Sequence, residues 1–117
     1  MKILYVFSAG PYSNARGQEG LDAMLMGANF DLEVAALFLH DGVFQLKSGQ
    51  DANGSELKEF TKTYMALSDF GINDIYVHDQ SLVARGLDQD KLMINTKMLD
   101  GKAISDLIKQ HDRVFVF

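Results

Sequence analysis

Three histidines in this sequence are each followed directly by an aspartate: His40-Asp41, His78-Asp79 and His111-Asp112. Imidazole beside carboxylate is the pairing that acid–base catalysis and divalent-metal binding both use. The three pairs are far apart along the chain, so a joint site at His40 and His78, with Asp41 and Asp79, depends wholly on the fold. Hydrogen-bonded polar ends of strands are the simpler reading of both. His111 is expected to cap the last helix. Ser81, just past His78, is the one hydroxyl placed suggestively for nucleophilic work, but capping of a short helix explains it better, and no convincing catalytic set results. The chain contains no cysteine, which excludes a thiolate nucleophile, a persulfide carrier, a disulfide or a Cys-based zinc site.

Two further segments invite a function. Ser8-Ala9-Gly10-Pro11-Tyr12-Ser13-Asn14 follows an apolar run and precedes an amphipathic one, where backbone N–H groups can meet an anion. It is neither a Walker A nor a GxGxxG motif and lacks the phosphate lysine; a flavodoxin-like small-molecule or flavin binder is the class it would fit. Asp41-Gly42-Val43-Phe44-Gln45-Leu46 places apolar residues where a loop is expected. Either they fold back over the sheet, or a tight turn at Gly42 lets Val43, Phe44 and Leu46 project toward a partner protein.

The elements that must position these residues read as strand–helix units around a parallel sheet. Strands are expected at Lys2–Ser8, Glu33–Leu39, Asp74–His78 and Val114–Phe117, with a short one within Lys91–Lys97 around Met93-Ile94. Helices are expected over Gln18–Asn29 (inward Leu21, Met24, Leu25 and Ala28) and from a Ser55 cap to Asp69 (inward Leu57, Phe60, Tyr64 and Leu67) with Gly71 as the stop. A short helix is expected over Gln80–Arg85, ended by Gly86, and a last one over Gly101–Gln110 with Ile104, Leu107 and Ile108 inward. The fold class is α/β: a three-layer α/β/α arrangement with a mostly parallel sheet of about five strands. In such sheets, sites gather at the carboxyl ends of the strands.

At 117 residues, 47% hydrophobic and 23% charged, the composition is that of one globular domain spanning 1–117. Eleven basic residues against 16 acidic give a net charge of −5 with no Lys/Arg run, so direct nucleic-acid binding lacks its electrostatic footprint. No apolar stretch approaches membrane-spanning length and no signal sequence is recognisable, so a soluble, cytoplasmic protein is expected.

Three segments, in this order, resemble the DsrF/TusC-type branch of the DsrE/DsrF/DsrH family. They are Gly17-Gln18-Glu19-Gly20-Leu21-Asp22-Ala23-Met24-Leu25-Met26, His40-Asp41-Gly42-Val43-Phe44-Gln45-Leu46 and Ser81-Leu82-Val83-Ala84-Arg85-Gly86-Leu87, joined by the closing Asp112-Arg113-Val114-Phe115-Val116-Phe117. The resemblance implies a DsrE/F-like fold and a non-catalytic subunit of a heterohexamer with TusB-like and TusD-like subunits. Such a complex takes sulfur from a TusA-like donor and passes it, with a TusE-like acceptor, toward 2-thiolation of the tRNA wobble uridine. A DsrF-like role in dissimilatory sulfur oxidation is the alternative within the family. In the family the sulfur-carrying cysteine belongs to the DsrE-type subunit, and the matching place here, near Val77-His78-Asp79-Gln80, offers imidazole and carboxylate instead. His78 and Asp79 are therefore expected relay-site neighbours, and Asp41, Gly42, Val43, Phe44, Gln45 and Leu46 the expected partner interface. No metal and no cofactor is implied.

Overall fold

The run Ile3–Phe7 is apolar without alternation, and every residue of it is buried, as a strand covered on both faces requires. It forms strand β1 (Lys2–Phe7), followed by α1 (Arg16–Asn29), β2 (Glu33–Phe38), a 3-10 helix (His40–Leu46), a second 3-10 helix (Phe60–Phe70) and β3 (Asp74–His78). Then come α2 (Asp79–Ala84), a one-turn 3-10 helix (Gln89–Lys91), β4 (Lys97–Leu99), α3 (Gly101–Lys109) and β5 (Arg113–Val116). The computed structural model describes residues 1–11, 15–30, 32–48 and 60–117, and the side chains of 60–62 are not described. Tyr12, Ser13 and Asn14 of the anion loop, the Ser55 cap, Leu57 and the side chain of Phe60 lie outside what is described.

The five strands form one all-parallel sheet in the order β4-β3-β2-β1-β5. Handedness distributes the helices. From β1 through β2 and β3 to β4 the chain steps in one direction across the sheet, so right-handed crossovers place α1, the two longer 3-10 helices and α2 on one face. The return from β4 to β5 runs the other way and puts α3 on the opposite face. Side chains sort accordingly. Ile3, Tyr5, Phe7, Ala36, Phe38, Ile75 and Val77 belong to the larger core with Leu21, Met24, Tyr64 and Leu67. Leu4, Val6, Ala35 and Leu37 point the other way, onto Ile104 and Leu107 of α3. Phe7, Phe38 and Tyr64 centre the larger core, the two phenylalanines stacked at 4.8 Å and Tyr64 edge-on to both.

Two helices stop where glycine allows it. Gly71 (φ 78°) and Gly86 (φ 67°) are left-handed. Ile72 N donates to Leu67 O and Gly71 N to Ser68 O; Leu87 N donates to Leu82 O and Gly86 N to Val83 O. Both are Schellman closures, and Leu82–Leu87 and Leu67–Ile72 are the buried apolar residues at the two positions the motif brings together.

Three sequence expectations shift. The helix expected to run to Asp69 is 3-10 over its described part, with its buried residues Tyr64 and Leu67 three apart. The fourth strand lies at Lys97–Leu99 rather than Met93-Ile94, because Met93 N is taken by Leu46 O (2.8 Å) and Leu92 bridges Lys47. Ile108 points outward, 41% exposed, because one helix over this face can turn only the Ile104–Leu107 stripe onto the sheet.

Candidate functional site

The 3-10 helix His40–Leu46 lies across the carboxyl ends of the strands, and its residues divide between the chain's core and its surface. Leu39 N donates to Phe7 O, bringing the chain over the end of β1. His40 then takes a left-handed backbone, φ 51°, the one non-glycine among the described residues to do so. The turn is therefore at His40 and not, as expected, at Gly42. What Gly42 supplies is space: a Cβ there would lie 1.8 Å from Phe7 O. Val43 and Leu46 are fully buried in the chain's own core. This corrects the expectation that they project toward a partner. His40 and Asp41 are exposed and Phe44 half-buried, so these three carry the segment's surface.

Gln45 is a wholly buried amide between apolar neighbours, which requires hydrogen-bond partners. Its Nε2 donates to Ala9 O at 2.9 Å, and its Oε1 accepts from the Tyr64 hydroxyl. It thereby ties the loop after β1 to the second 3-10 helix. Gln45 in turn fills the space that Gly17 leaves, where a Cβ would lie 2.8 Å from Nε2. Burial pushes the Tyr64 phenol far above its ordinary pKa.

On the neighbouring strand, His78 ends β3 and α2 begins at once. Ser81, 3% exposed, does not cap α2. Its Oγ accepts from His40 N at 2.8 Å and lies 2.7 Å from His78 Nδ1. The assignment that satisfies every atom has the serine hydroxyl donating to Nδ1, leaving the ring proton on Nε2, 3.9 Å from Asp79 Oδ1. Arg85 closes the assembly, with Nε donating to Asp41 Oδ1 at 3.0 Å and Nη1 to Ser81 O at 3.2 Å.

Serine, histidine and aspartate in sequence here do not make a hydrolase. Ser81 Oγ is enclosed behind the imidazole and committed to a backbone amide, so no substrate carbonyl reaches it. His40 and His78 do come together, but through Ser81, one by its main chain and the other by its ring. Among the described residues no three of His, Asp and Glu gather as a metal site. Ser8 is engaged with β5, its Oγ donating to Phe117 O at 3.1 Å. His111 meets its expected role, with Nδ1 2.7 Å from Leu107 O at the end of α3. At this edge the His78 Nε2 and the Asp79 carboxylate reach the surface, beside the exposed residues His40 and Asp41. Beside them a groove of about 430 Å³ runs between α2 and β4, lined by Leu82, Val83, Leu87, Asp88 and Met98.

The four sequence segments singled out earlier therefore meet in one set of contacts. Gly17 adjoins Gln45, Asp41 pairs with Arg85, Ser81 holds His40, and Gly20 sits against Phe117, where a Cβ would lie 2.7 Å from the ring. Sequence reasoning missed Ser81 as a latch, Tyr64 as the partner of Gln45, and Arg85 as the partner of Asp41. A buried-type glutamine flanked by Phe44 and Leu46 was the available signal that a partner had to exist.

Comparison with known proteins bears on the family and the fold. The family model described as DsrE/DsrF-like matches residues 1–117. The chain is 38% identical to the intracellular sulfur oxidation protein DsrF of Allochromatium vinosum, over 99% of this chain and 96% of that one. It is also 38% identical to a TusC homolog of Pseudomonas aeruginosa, over 96% of this chain and 94% of that one. Among solved structures, the ychN protein from E. coli superposes with a TM-score of 0.84 at 16% identity, covering 99% of this chain and 98% of that chain; it speaks for the fold alone. Among the described residues, no helix is long and apolar enough to cross a membrane.

Proposed function

We propose, from the premise that this chain belongs to the DsrE/DsrF-like family, that it is a thiol-free, TusC/DsrF-type subunit of a sulfur-relay assembly. The observation that carries this reading is the absence of any cysteine in a chain similar along nearly its whole length to proteins named TusC and DsrF. In persulfide relay, a thiolate attacks the terminal sulfur of a donor's persulfide and the donor's thiolate departs. Both sulfurs need cysteine, so this chain supplies neither. Its contribution is structural: it joins TusB-like and TusD-like subunits in a heterohexamer, and the TusD-like subunit carries the sulfur between a TusA-like donor and a TusE-like acceptor. The end product in this reading is the 2-thiolated wobble uridine of tRNA.

Asp41 and Phe44, on the surface of the 3-10 helix His40–Leu46, and His78 with Asp79 beside the groove, are the proposed contact residues. The buried members of the same motif, Val43, Gln45 and Leu46, support this surface from beneath.

The equal 38% identity to DsrF and to a TusC homolog favours keeping a second reading, in which the same subunit serves dissimilatory sulfur oxidation. The experiment is co-expression with the neighbouring DsrE- and DsrH-type proteins, followed by mass measurement and by quantification of 2-thiouridine in tRNA from a deletion strain. A stoichiometric complex with loss of 2-thiouridine supports the tRNA reading. A complex with unchanged tRNA supports the oxidation reading. A chain that ignores both partners defeats the subunit assignment altogether.

A further inference from the structure

The sheet has two open edges, and they are built differently. β4 is only three residues long and carries Lys97, whose ammonium lies 3.6 Å from Asp74. A short strand with a lysine is a standard protection against edge-to-edge pairing. β5 is one residue longer and carries its one charge, Arg113, at its first position. Its residues Val114, Phe115 and Val116 are 37%, 46% and 66% exposed, and it contains no proline and no inward charge. Among the described residues, no strand pairs with its outer side.

The backbone shows what such an edge would accept. Phe117 donates to Val6 O and accepts from Ser8 N, both at 2.8 Å, so its polar groups face β1. Along a strand these directions alternate, so Val116 and Val114 turn their N–H and C=O to the open side. Side chains alternate as well. Val114 and Val116 sit in register with Leu4 and Val6 on the α3 face, and Phe115 with Tyr5 on the α1 face.

We propose that β5 is a self-pairing edge, at which two copies of this chain join β5 to β5 antiparallel and fuse their sheets into one. The edge is complementary to itself about a two-fold axis at Phe115. Val114 of each copy then exchanges both backbone hydrogen bonds with Val116 of the other. The two Phe115 rings face each other in a non-hydrogen-bonded pair, where Cα atoms approach to about 4.5 Å. The one charged residue of the strand, Arg113, falls opposite Phe117 of the other copy and never opposite itself, so no like charges meet at the joint. Such an isologous contact closes at two copies. The inference stands on the edge itself and does not depend on the sulfur-relay reading.

Sedimentation equilibrium of the full chain tests it, with the wild type, Val116→Lys and Met98→Lys compared over a concentration series. The wild type is expected to reach twice its 13.0 kDa, Val116→Lys to remain at the single mass, and Met98→Lys, a change at another exposed apolar residue on the opposite edge, to double as the wild type does. Amide exchange on the wild type alone gives a reading free of any folding defect: the Val114 and Val116 amides slow as concentration rises, and the Phe117 amide does not change. A wild type that stays at the single mass, a Val116→Lys variant that still doubles, or exchange at Val114 and Val116 that ignores concentration would each overturn the proposal.

Discussion

At the scale of single residues, the motif around Gly42 is held by contacts that leave little freedom. A Cβ at Gly42 would meet a backbone oxygen at 1.8 Å, and a carbonyl at the end of a buried strand cannot swing aside as a flexible side chain would. Gly42→Ala is therefore expected to cost about 3 kcal/mol or more in urea unfolding; a cost near zero would mean the 3-10 helix can lift off β1. The Tyr64–Gln45 bond carries a pH signature. Burial raises the Tyr64 phenol above its ordinary value of 10.0, so the folded state holds its proton more tightly than the unfolded chain. The stability from this group is thus complete below the unfolded pKa and is lost as pH rises above about 10. Tyr64→Phe should cost about 1–3 kcal/mol at neutral pH, since Gln45 Oε1 loses the hydroxyl that donates to it, and should flatten the alkaline decline. Tyr5, raised by burial as well, leaves a smaller residual slope. An alkaline profile identical to wild type would show that Tyr64 is not the titrating group.

At the scale of elements, α3 shows how strictly one face is chosen. Leu107 is 7% exposed against the sheet, and Ile108, its neighbour in sequence, is 41% exposed. Leu107→Ala should cost about 2–5 kcal/mol, and Ile108→Lys should stay within about 0.5 kcal/mol of wild type. Thermal or urea denaturation of the two variants checks this, and similar costs at both sites would mean α3 packs in another rotation. The Asp41–Arg85 pair joins the 3-10 helix His40–Leu46 to α2, but Asp41 is 65% exposed. Its worth to stability is therefore small; its effect is to hold the two elements that flank His78 in a fixed relation.

At the scale of the whole molecule, the parallel sheet delivers the ends of β1, β2 and β3 to one edge, and there the chain presents the His78 imidazole. Under the proposed relay role, His78→Ala in the assembled complex is expected to slow sulfur transfer without unfolding the chain, since the ring is partly exposed and its neighbours are held by other bonds. A variant that leaves both assembly and transfer unchanged would remove His78 from the site. The open β5 edge lies on the far side of the sheet from β4 and the groove, so the proposed self-pairing and the proposed relay contacts would use different surfaces.

The strands β1, β2, β3 and β5 were legible because continuous apolar runs bounded by turn residues have few other uses, and the stops at Gly71 and Gly86 because left-handed backbone favours glycine. The absence of a persulfide-carrying thiol needed only the composition. Strand order was not legible, since it depends on crossover direction and not on any local pattern. Nor was β4 legible: Met93-Ile94 is as apolar as a strand, but Met93 N is taken by Leu46 O and Leu92 by Lys47, a long-range competition that no local window contains. The apolar segment at Val43–Leu46 is the sharpest case. Its sequence fits a buried turn and an exposed interface equally, and only tertiary structure decided, by placing it over the end of β1 where Val43 and Leu46 lose all contact with water.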